Sequence, residues 1–245
     1  MIVDLLIGLP DQRPGGLLLS VLCALAAGVM AVLAGLGYAT VCVAAPRLTL
    51  VVQGGLALLR GVPLLLLIFA LAQLTGLPLW AGGVCALFLY SLSHVGEVLR
   101  AYLATYPVSL REQAHLLGIS PAQEWFSLRL PWVARRSLDA LGTHWISLLK
   151  DTGALTVLGI GELTTVAKLW SERQSTTGWL LVLCIAAALY LLAVLALARA
   201  VSFGVARLSE PGGKRVHAPE AFDTSLAGSS SRPDTARDRV LRVDT

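Results

Sequence analysis

Long apolar blocks are the feature that most limits how this chain can fold. A helix needs about 20 apolar residues to cross a lipid bilayer, and such blocks lie at about 15–39, 79–103, 132–158 and 179–203, with a shorter one at 61–74. Only 14% of the residues are charged, and the mean hydropathy is +0.74, whereas soluble proteins carry about 25% charged residues. Lipid offers no hydrogen bonds to the backbone, so the spans must be helical. The sequence predicts an all-α, polytopic membrane protein with five transmembrane helices.

Two segments do not fit the simple pattern of long spans. The block at 61–74 is short for a span. The mildly amphipathic segment 48–59 before it is expected to form an elbow at the membrane surface, and the second span is expected to include part of this elbow. Residues 1–207 then form the transmembrane domain. Residues 208–245 are rich in glycine, serine, proline and mixed charge, and such a composition predicts a disordered tail. A regulatory or partner-binding role for this tail stays open.

The distribution of basic residues predicts the orientation in the membrane. Five spans place the two termini on opposite sides, and cytoplasmic loops carry an excess of arginine and lysine. With the loop at 106–131 inside, the outer side keeps only four basic residues, namely Arg13, Lys150, Lys168 and Arg173. We therefore expect the N-terminus outside, and the loop and the C-terminus in the cytoplasm.

The loop at 106–131 lies between the third and fourth predicted spans and carries its own helix signals. Ser109 and Glu112 have the Ser-x-x-Glu spacing of a capping box. Gly118 suits the left-handed residue that follows a helix end. We expect a short helix here that ends at a hinge on Gly118.

A second short helix is expected after this hinge. Ser120 and Gln123 form another capping-box pattern, with Pro121 at the first helical position. Pro131 is expected to end this helix and to begin the next one. From these residues alone, the loop is either a stable connector or a rigid knob that docks on a soluble partner.

The sequence shows no pattern typical of an enzyme. It lacks the G-x-x-x-x-G-K-[ST] motif of a phosphate-binding loop, and no cluster of histidine, cysteine and carboxylate has metal-ligand spacing. The four cysteines lie in apolar blocks and are expected to act as small apolar side chains, at Cys23, Cys42, Cys85 and Cys184. We expect no cofactor, no metal and no nucleic-acid partner.

Ionisable and polar residues inside the predicted spans are the candidate functional groups, because they are costly in lipid and face protein or water. Two interpretations stay open. They pair with neighbours, as Glu97 could with Arg100, and Asp139 with Arg135 or Arg136, or they line a path for a polar solute. Lys150 and Asp151 could also pair, at a gate. The candidate path residues are His94 and Glu97 in the third span, and Thr143, His144, Ser147, Lys150 and Asp151 in the fourth.

Five segments together resemble one family. They are LRGVPL at 59–64, SHVGEVLR at 93–100, EQAHLLG at 112–118, LGTHWISLLKDT at 141–152 and GIGEL at 159–163. In order and spacing they are similar to motifs of the permeases of polar amino acid ABC importers, of the histidine, glutamine, arginine and opine type. The resemblance covers residues 16–210.

The resemblance implies a function and a set of partners. It implies five spans in a bacterial inner membrane, a second permease chain, an ATPase subunit dimer in the cytoplasm and an external solute-binding protein. Glu112, Gln113, Ala114 and Gly118 match the loop that couples such permeases to the ATPase, although Gln113 replaces the usual alanine. The permease itself would perform no chemistry and would move a polar amino acid or related compound by alternating access.

The sequence departs from the family at positions expected near the pathway. His94 replaces a tyrosine, and Thr143-His144 stand where asparagine is usual. The identity of the solute therefore does not follow from the resemblance. The alternative function is a membrane scaffold or a secondary transporter that needs no ATPase. The capped and hinged loop at 106–131 favours the importer.

Overall fold

The computed structural model describes residues 1–11, 13–174 and 178–208. Every extended element of regular structure in these ranges is helical, as the sequence predicts. The predicted disordered tail, apart from residue 208, lies outside the described residues. The helices are α1 (Ile2–Ile7), α2 (Gly16–Ala44), α3 (Pro46–Gly61), α4 (Leu64–Leu74), α5 (Leu79–Ala104), α6 (Val108–Leu116), α7 (Pro121–Glu124), α8 (Leu130–Asp151), α9 (Leu163–Glu172) and α10 (Gly178–Leu208).

Helices α2, α5 and α10 are long and apolar enough to cross a membrane. Residues Thr49–Gly61 and Leu64–Leu74 pass the same test together, but they are bent by 103° at a short break. The predicted second span therefore does not gain length by a straight continuation of α3. The bend lies at Val62 and Pro63, because proline disfavours helical geometry in the residue before it and Val62 is extended (φ −82°, ψ 122°).

The predicted fourth span, 132–158, divides into two helix types. Helix α8 ends at Asp151, and residues Thr152–Leu158 continue as a 3₁₀-helix that ends at Gly159, with φ at +70°. Helix α8 contains several charged residues, and it is not apolar enough to qualify as a membrane span by composition. The number of five spans consequently stays a prediction.

Small residues hold the centre of the fold together. On α2, Ala27, Ala31, Gly35 and Ala39 recur every four residues and are largely buried. A Cβ atom added to Gly35 would lie 3.3 Å from the backbone of Gly96 on α5. Backbones that approach this closely gain van der Waals contact, which stabilises helix pairs in lipid where the hydrophobic effect is weak.

The loop between α5 and α8 folds as two short helices, but its first cap differs from the prediction. Helix α6 begins at Val108 with Pro107 as its N-cap, and no side chain caps it. Ser109 therefore lies inside the first turn, and the predicted capping box with Glu112 is wrong. The reason is local: Pro107 already has the fixed φ of proline (−62°) in an extended conformation, and the helix begins directly after it.

The hinge at Gly118 is present as predicted. Gly118 has φ at +68°, and its N–H donates to the His115 carbonyl at 3.0 Å. The Ile119 N–H donates to the Ala114 carbonyl, also at 3.0 Å. These two bonds are those of a Schellman motif, which satisfies carbonyls at the helix end and fixes the direction of the chain.

The second short helix has its predicted cap but not its predicted end. Ser120 and Gln123 form a full capping box, and Pro121 lies in the first turn. The chain does not break before Pro131. Residues Trp125–Arg129 form a π-helical segment that joins α7 to α8. Proline lacks an N–H and clashes with the carbonyl four residues earlier, and a widened π turn absorbs both defects without ending the helix.

The packing of α8 against α10 gives a stability prediction. A Cβ atom added to Gly142 would lie 2.2 Å from a methyl group of Val201, a stiff β-branched side chain. We expect Gly142→Ala to destabilise the protein by about 1–3 kcal/mol through overpacking. Gly37→Ala in α2 is the matched control, because nothing lies within 4 Å of its added Cβ.

Thermal unfolding in detergent, followed by tryptophan fluorescence, measures both variants. The control should match or exceed the wild-type stability, since alanine favours a helix over glycine. Equal midpoints for Gly142→Ala and the wild type would contradict the close packing of α8 and α10.

Candidate functional site

Two histidines from different helices meet between α5 and α8. The rings of His94 and His144 stack with centroids 5.6 Å apart and planes 18° apart. The Ser91 hydroxyl lies 2.7 Å from Nε2 of His144, and the Tyr90 ring is tilted on His94 at 4.8 Å. The structure thus brings together two predicted path residues that lie 50 positions apart in the sequence. We call Tyr90, Ser91, His94 and His144 the histidine cluster.

The other predicted path residues of α8 are distributed around the helix. Ser147 and Asp151 are half-buried, and they follow His144 at spacings of three and seven residues, on one helix face. Thr143 and Lys150 are exposed. The Thr143 hydroxyl donates to the Asp139 carbonyl of its own helix at 3.1 Å.

The three ion pairs considered from the sequence have different outcomes. Glu97 accepts two hydrogen bonds from Arg100, at 2.8 and 3.0 Å, and a third from the Tyr38 hydroxyl of α2 at 2.6 Å. Its carboxylate is therefore occupied within this one chain. Among the described residues, Asp139 has no ion pair with Arg135 or Arg136, and Lys150 has none with Asp151.

The loop presents a mixed polar and apolar surface. Glu112 and Gln113 are exposed, and Leu116 and Leu117 on the next turn are 85% and 77% exposed. Ala114 is buried beneath them and is only 3% exposed. Four predicted residues thus play different structural parts: Glu112 and Gln113 face outward, Ala114 anchors the helix, and Gly118 makes the turn. We call Glu112, Gln113, Leu116 and Leu117 the loop face.

A buried carboxylate that our sequence analysis did not select lies in another part of the fold. Glu162 is fully buried, and its Oε1 accepts from the Thr156 hydroxyl (2.7 Å) and from the Thr165 N–H (2.8 Å) and hydroxyl (3.3 Å). Its Oε2 accepts from the hydroxyls of Ser20 (3.2 Å) and Tyr190 (2.9 Å). One side chain therefore joins α2, the 3₁₀-helix, α9 and α10.

The backbone near Glu162 strengthens the same junction. The Gly16 N–H donates to the Gly161 carbonyl at 2.8 Å, and the Leu163 N–H donates to the Ser20 hydroxyl at 3.3 Å. Gly16 has φ at +58°, and a Cβ atom there would lie 2.3 Å from the Leu5 carbonyl oxygen. In the sequence, Glu162 is notable only as part of the GIGEL segment, because its partners lie as far as 142 positions away.

No group of three or more potential metal ligands occurs in the part of the chain that the structure describes.

Comparison with known proteins identifies the chain's relatives. Residues 29–210 match the family described as "Binding-protein-dependent transport system inner membrane component". The arginine ABC transporter permease protein ArtQ of Escherichia coli K12 is 34% identical over 114 residues, 46% of this chain and 47% of that protein. The probable glutamine ABC transporter permease protein GlnP of Bacillus subtilis is 29% identical over 141 residues, 56% of this chain and 65% of that protein. The matched part therefore spans about half to two thirds of these curated relatives.

Solved structures resemble the fold over a larger part of the chain. A crystal structure of an amino acid ABC transporter with histidines has a TM-score of 0.66 and 26% identity, and it covers 78% of this chain and 91% of that one. The inward-facing MetNI methionine ABC transporter has a TM-score of 0.68 and covers 80% of this chain and 95% of its own. Its identity is 16%, so this second likeness concerns the fold alone.

The hydrogen bonds of Glu162 give a second stability prediction. Glu162→Ala leaves several buried donors without an acceptor, and each such group costs about 1–3 kcal/mol, so we expect a loss of at least about 3 kcal/mol. Glu162→Gln keeps the shape, and the Ser20 and Tyr190 hydroxyls can rotate to accept from the new amide. It should therefore cost less than the alanine variant.

Unfolding in detergent measures these variants beside Glu172→Ala, which removes an exposed glutamate from the end of α9. The control should change the stability by no more than about 0.5 kcal/mol. If Glu162→Ala and Glu172→Ala were equally mild, Glu162 would not be the junction of these helices.

Proposed function

This chain belongs to the family of binding-protein-dependent transport system inner membrane components, and on that premise we propose that it imports a polar amino acid or related compound. It would act as the transmembrane subunit of an ATP-driven importer in a bacterial inner membrane. Relatives named as arginine and glutamine permeases, and the 26% identical amino acid transporter, support this solute class. ATP hydrolysis belongs to separate partner chains.

The loop between α5 and α8 is the observation that carries the coupling part of this proposal. A flexible tether needs neither a Schellman turn nor a capping box, and this loop has both. The loop face also exposes two leucines beside Glu112. Large apolar side chains at the centre of a polar surface are typical of protein interfaces. We assign the loop face to contact with an ATPase subunit.

The continuous helix from the loop into the membrane domain explains how movement would reach the solute path. Helices α7 and α8 are joined through the π segment without a break, from Pro121 to Asp151. At 1.5 Å per residue, Pro121 and His144 lie about 35 Å apart along this rod. A displacement of the loop would therefore move His144 relative to His94 on α5. This is the rearrangement that alternating access requires.

The histidine cluster is our candidate for contact with the solute. His94 and His144 are half-buried and carry both hydrogen-bond donors and acceptors, so they can bind carboxylate or amide groups. Ser147 and Asp151 extend the polar face of α8 beyond His144. Glu97 is less suited, because Tyr38 and Arg100 already occupy its carboxylate. Thr143 and Lys150 complete the candidate path from the sequence.

The assembly follows from the family. We propose a pair of permease chains, either identical or homologous, with an ATPase subunit dimer on the cytoplasmic side and a solute-binding protein outside. The excess of arginine near the loop supports a cytoplasmic loop. With the five spans that the apolar blocks predict, the C-terminus is then also cytoplasmic and the N-terminus external. Purification from native membranes tests the whole proposal. Recovery of an ATP-binding chain supports an importer, and its absence after crosslinking favours a scaffold or a secondary transporter.

Substitutions at the loop test the coupling. We expect Gly118→Pro and Glu112→Lys to lower ATP-driven uptake roughly 5- to 150-fold, the range of typical coupling free energies, while membrane insertion stays normal. Proline cannot adopt φ at +68°, and it removes the N–H that donates to His115. Uptake into proteoliposomes, with ATP hydrolysis measured in parallel, is the assay.

Gly76→Pro is the matched control for Gly118→Pro. Gly76 also has a positive φ (+62°) and open space around it, but it lies in the turn between α4 and α5. Its substitution introduces the same backbone conflict away from the loop. If Gly76→Pro lowered uptake as strongly as Gly118→Pro, the loss would reflect general damage and the coupling role would be rejected.

Substitution of the histidine cluster tests the solute path. We expect His94→Ala and His144→Ala each to weaken uptake of the preferred solute roughly threefold to tenfold, the effect of losing about one hydrogen bond. Arginine, glutamine and histidine serve as probes, and the apparent KM is measured for each. Recovery of the ATPase partner should be unchanged. Ser202→Ala, which removes an exposed hydroxyl from α10, is the control and should leave uptake unchanged. Unaltered uptake in both histidine variants would exclude the cluster from the path.

A further inference from the structure

A cavity of about 430 Å³ lies where α5 ends and α8 begins. Its walls include Tyr106, Ser127, Trp132, Arg135 and Arg136. None of the residues of the loop face or of the histidine cluster lines it. The cavity therefore lies at the base of the loop at 106–131, apart from the loop face and from the histidine cluster.

The charge of this cavity is positive and locally unbalanced. Arg135 and Arg136 are exposed, and neither forms an ion pair with any residue that the structure describes. The nearby Glu124 carboxylate is already neutralised by Arg129, at 2.8 Å. Asp139 lies one turn further along α8, but it is not within ion-pair distance of either arginine. Two guanidinium groups thus remain available to an anion.

A polar group without a partner lies in the same wall. Tyr106 is buried, and its hydroxyl has no hydrogen-bond partner among the described residues. The Trp132 ring packs edge-on against the Tyr106 ring, with centroids 5.7 Å apart, and Arg129 covers that ring at 5.4 Å. Burial, with a smaller contribution from the Glu124 carboxylate, raises the pKa of Tyr106. The hydroxyl therefore keeps its proton and can donate a hydrogen bond.

We propose that this cavity binds a phosphate group. Arginine is suited to phosphate because its planar group donates two parallel hydrogen bonds to an oxyanion. Arg136 is also oriented, since its guanidinium lies 4.9 Å from the centre of the Trp132 ring. Ser127 supplies a hydroxyl to the same space.

The position of the cavity favours a phosphate carried by lipid. It lies at the end of α5, a helix long and apolar enough to cross a membrane. The headgroups of phospholipids meet protein at the ends of such helices. Tryptophan and arginine are typical of this interface, where basic residues attract anionic lipid. Free phosphate has the same chemistry, and competition between inorganic phosphate and lipid separates the two sources. Neither source depends on whether the chain transports an amino acid.

The test is native mass spectrometry of the full chain, released from detergent in the presence of phosphatidylglycerol or phosphatidylcholine. We expect the wild type to retain phosphatidylglycerol and not phosphatidylcholine. Arg135→Gln and Arg136→Gln should each lower phosphatidylglycerol affinity about tenfold or more, as loss of a charged hydrogen bond implies. Tyr106→Phe should lower it less, with no loss of thermal stability when lipid is absent.

Arg207→Gln is the matched control, because Arg207 is an exposed arginine at the end of α10, outside the cavity. Its loss should weaken lipid binding by no more than roughly fivefold, the effect of one surface charge. Equal losses in Arg207→Gln and in the two cavity variants would overturn the proposal. So would full retention of phosphatidylglycerol by Arg135→Gln, Arg136→Gln and Tyr106→Phe.

Inorganic phosphate distinguishes the source. If phosphate stabilises the lipid-free wild type and Arg207→Gln, but not Arg135→Gln or Arg136→Gln, and displaces phosphatidylglycerol from the wild type, the group bound is free phosphate. If phosphate neither stabilises nor competes while the lipid stays bound, the source is the headgroup. If neither compound binds the wild type, the cavity holds no phosphate and the proposal fails.

Discussion

The fold depends on one buried carboxylate that accepts hydrogen bonds from several helices and has no ion pair with any residue that the structure describes. Glu162 joins the start of α2, the 3₁₀-helix after α8, and helices α9 and α10 through five hydrogen bonds. Two of these donors come from α2 and α10, which are separated by most of the chain. Lipid tails are as apolar as leucine, so apolar character alone does not decide which helices pair in a membrane. Directional bonds to a buried anion therefore specify which helix ends meet.

The residues assigned to coupling and to solute contact lie in different parts of one helical structure. The loop face lies on α6 and the residue that follows it, and the histidine cluster lies between α5 and α8. The turn at Gly118 and the helical rod from Pro121 to Asp151 connect the two. Small residues let α2 and α5 pack closely, which gives α8 a stable surface to move against. On the proposed mechanism, transport requires movement of the α7–α8 rod against a fixed α2–α5 pair, and it does not require the whole domain to become more flexible.

Local features could be predicted from the sequence, and features that depend on distant contacts could not. The apolar blocks gave the helical class, and Gly118 and Ser120 made the turn and the cap expected of them, because these depend on neighbours within a few residues. Ser109 failed as a cap because Pro107 began the helix earlier. The spacing of Glu97 and Arg100 left pairing open beside a role in the path; the structure shows the pair, and also a bond from Tyr38 that the sequence does not indicate. Glu162 caps α9 through Thr165, three residues on, but its partners Tyr190 and Ser20 lie 28 and 142 positions away, and no spacing rule marks those two.

The π segment at Trp125–Arg129 also affects the direction in which the side chains of α8 point. Its Leu130 N–H bonds to the carbonyl five residues earlier, so the widened turn holds one residue more than the α-helical turn that would replace it. Each residue turns an α-helix by about 100°. If the same residues took up regular α geometry with none removed, α8 would therefore turn by about that angle relative to the loop. His144 would then face away from His94 while the loop kept its own shape. A change in the hydrogen-bond pattern of five residues can thus rotate a whole helix about its axis.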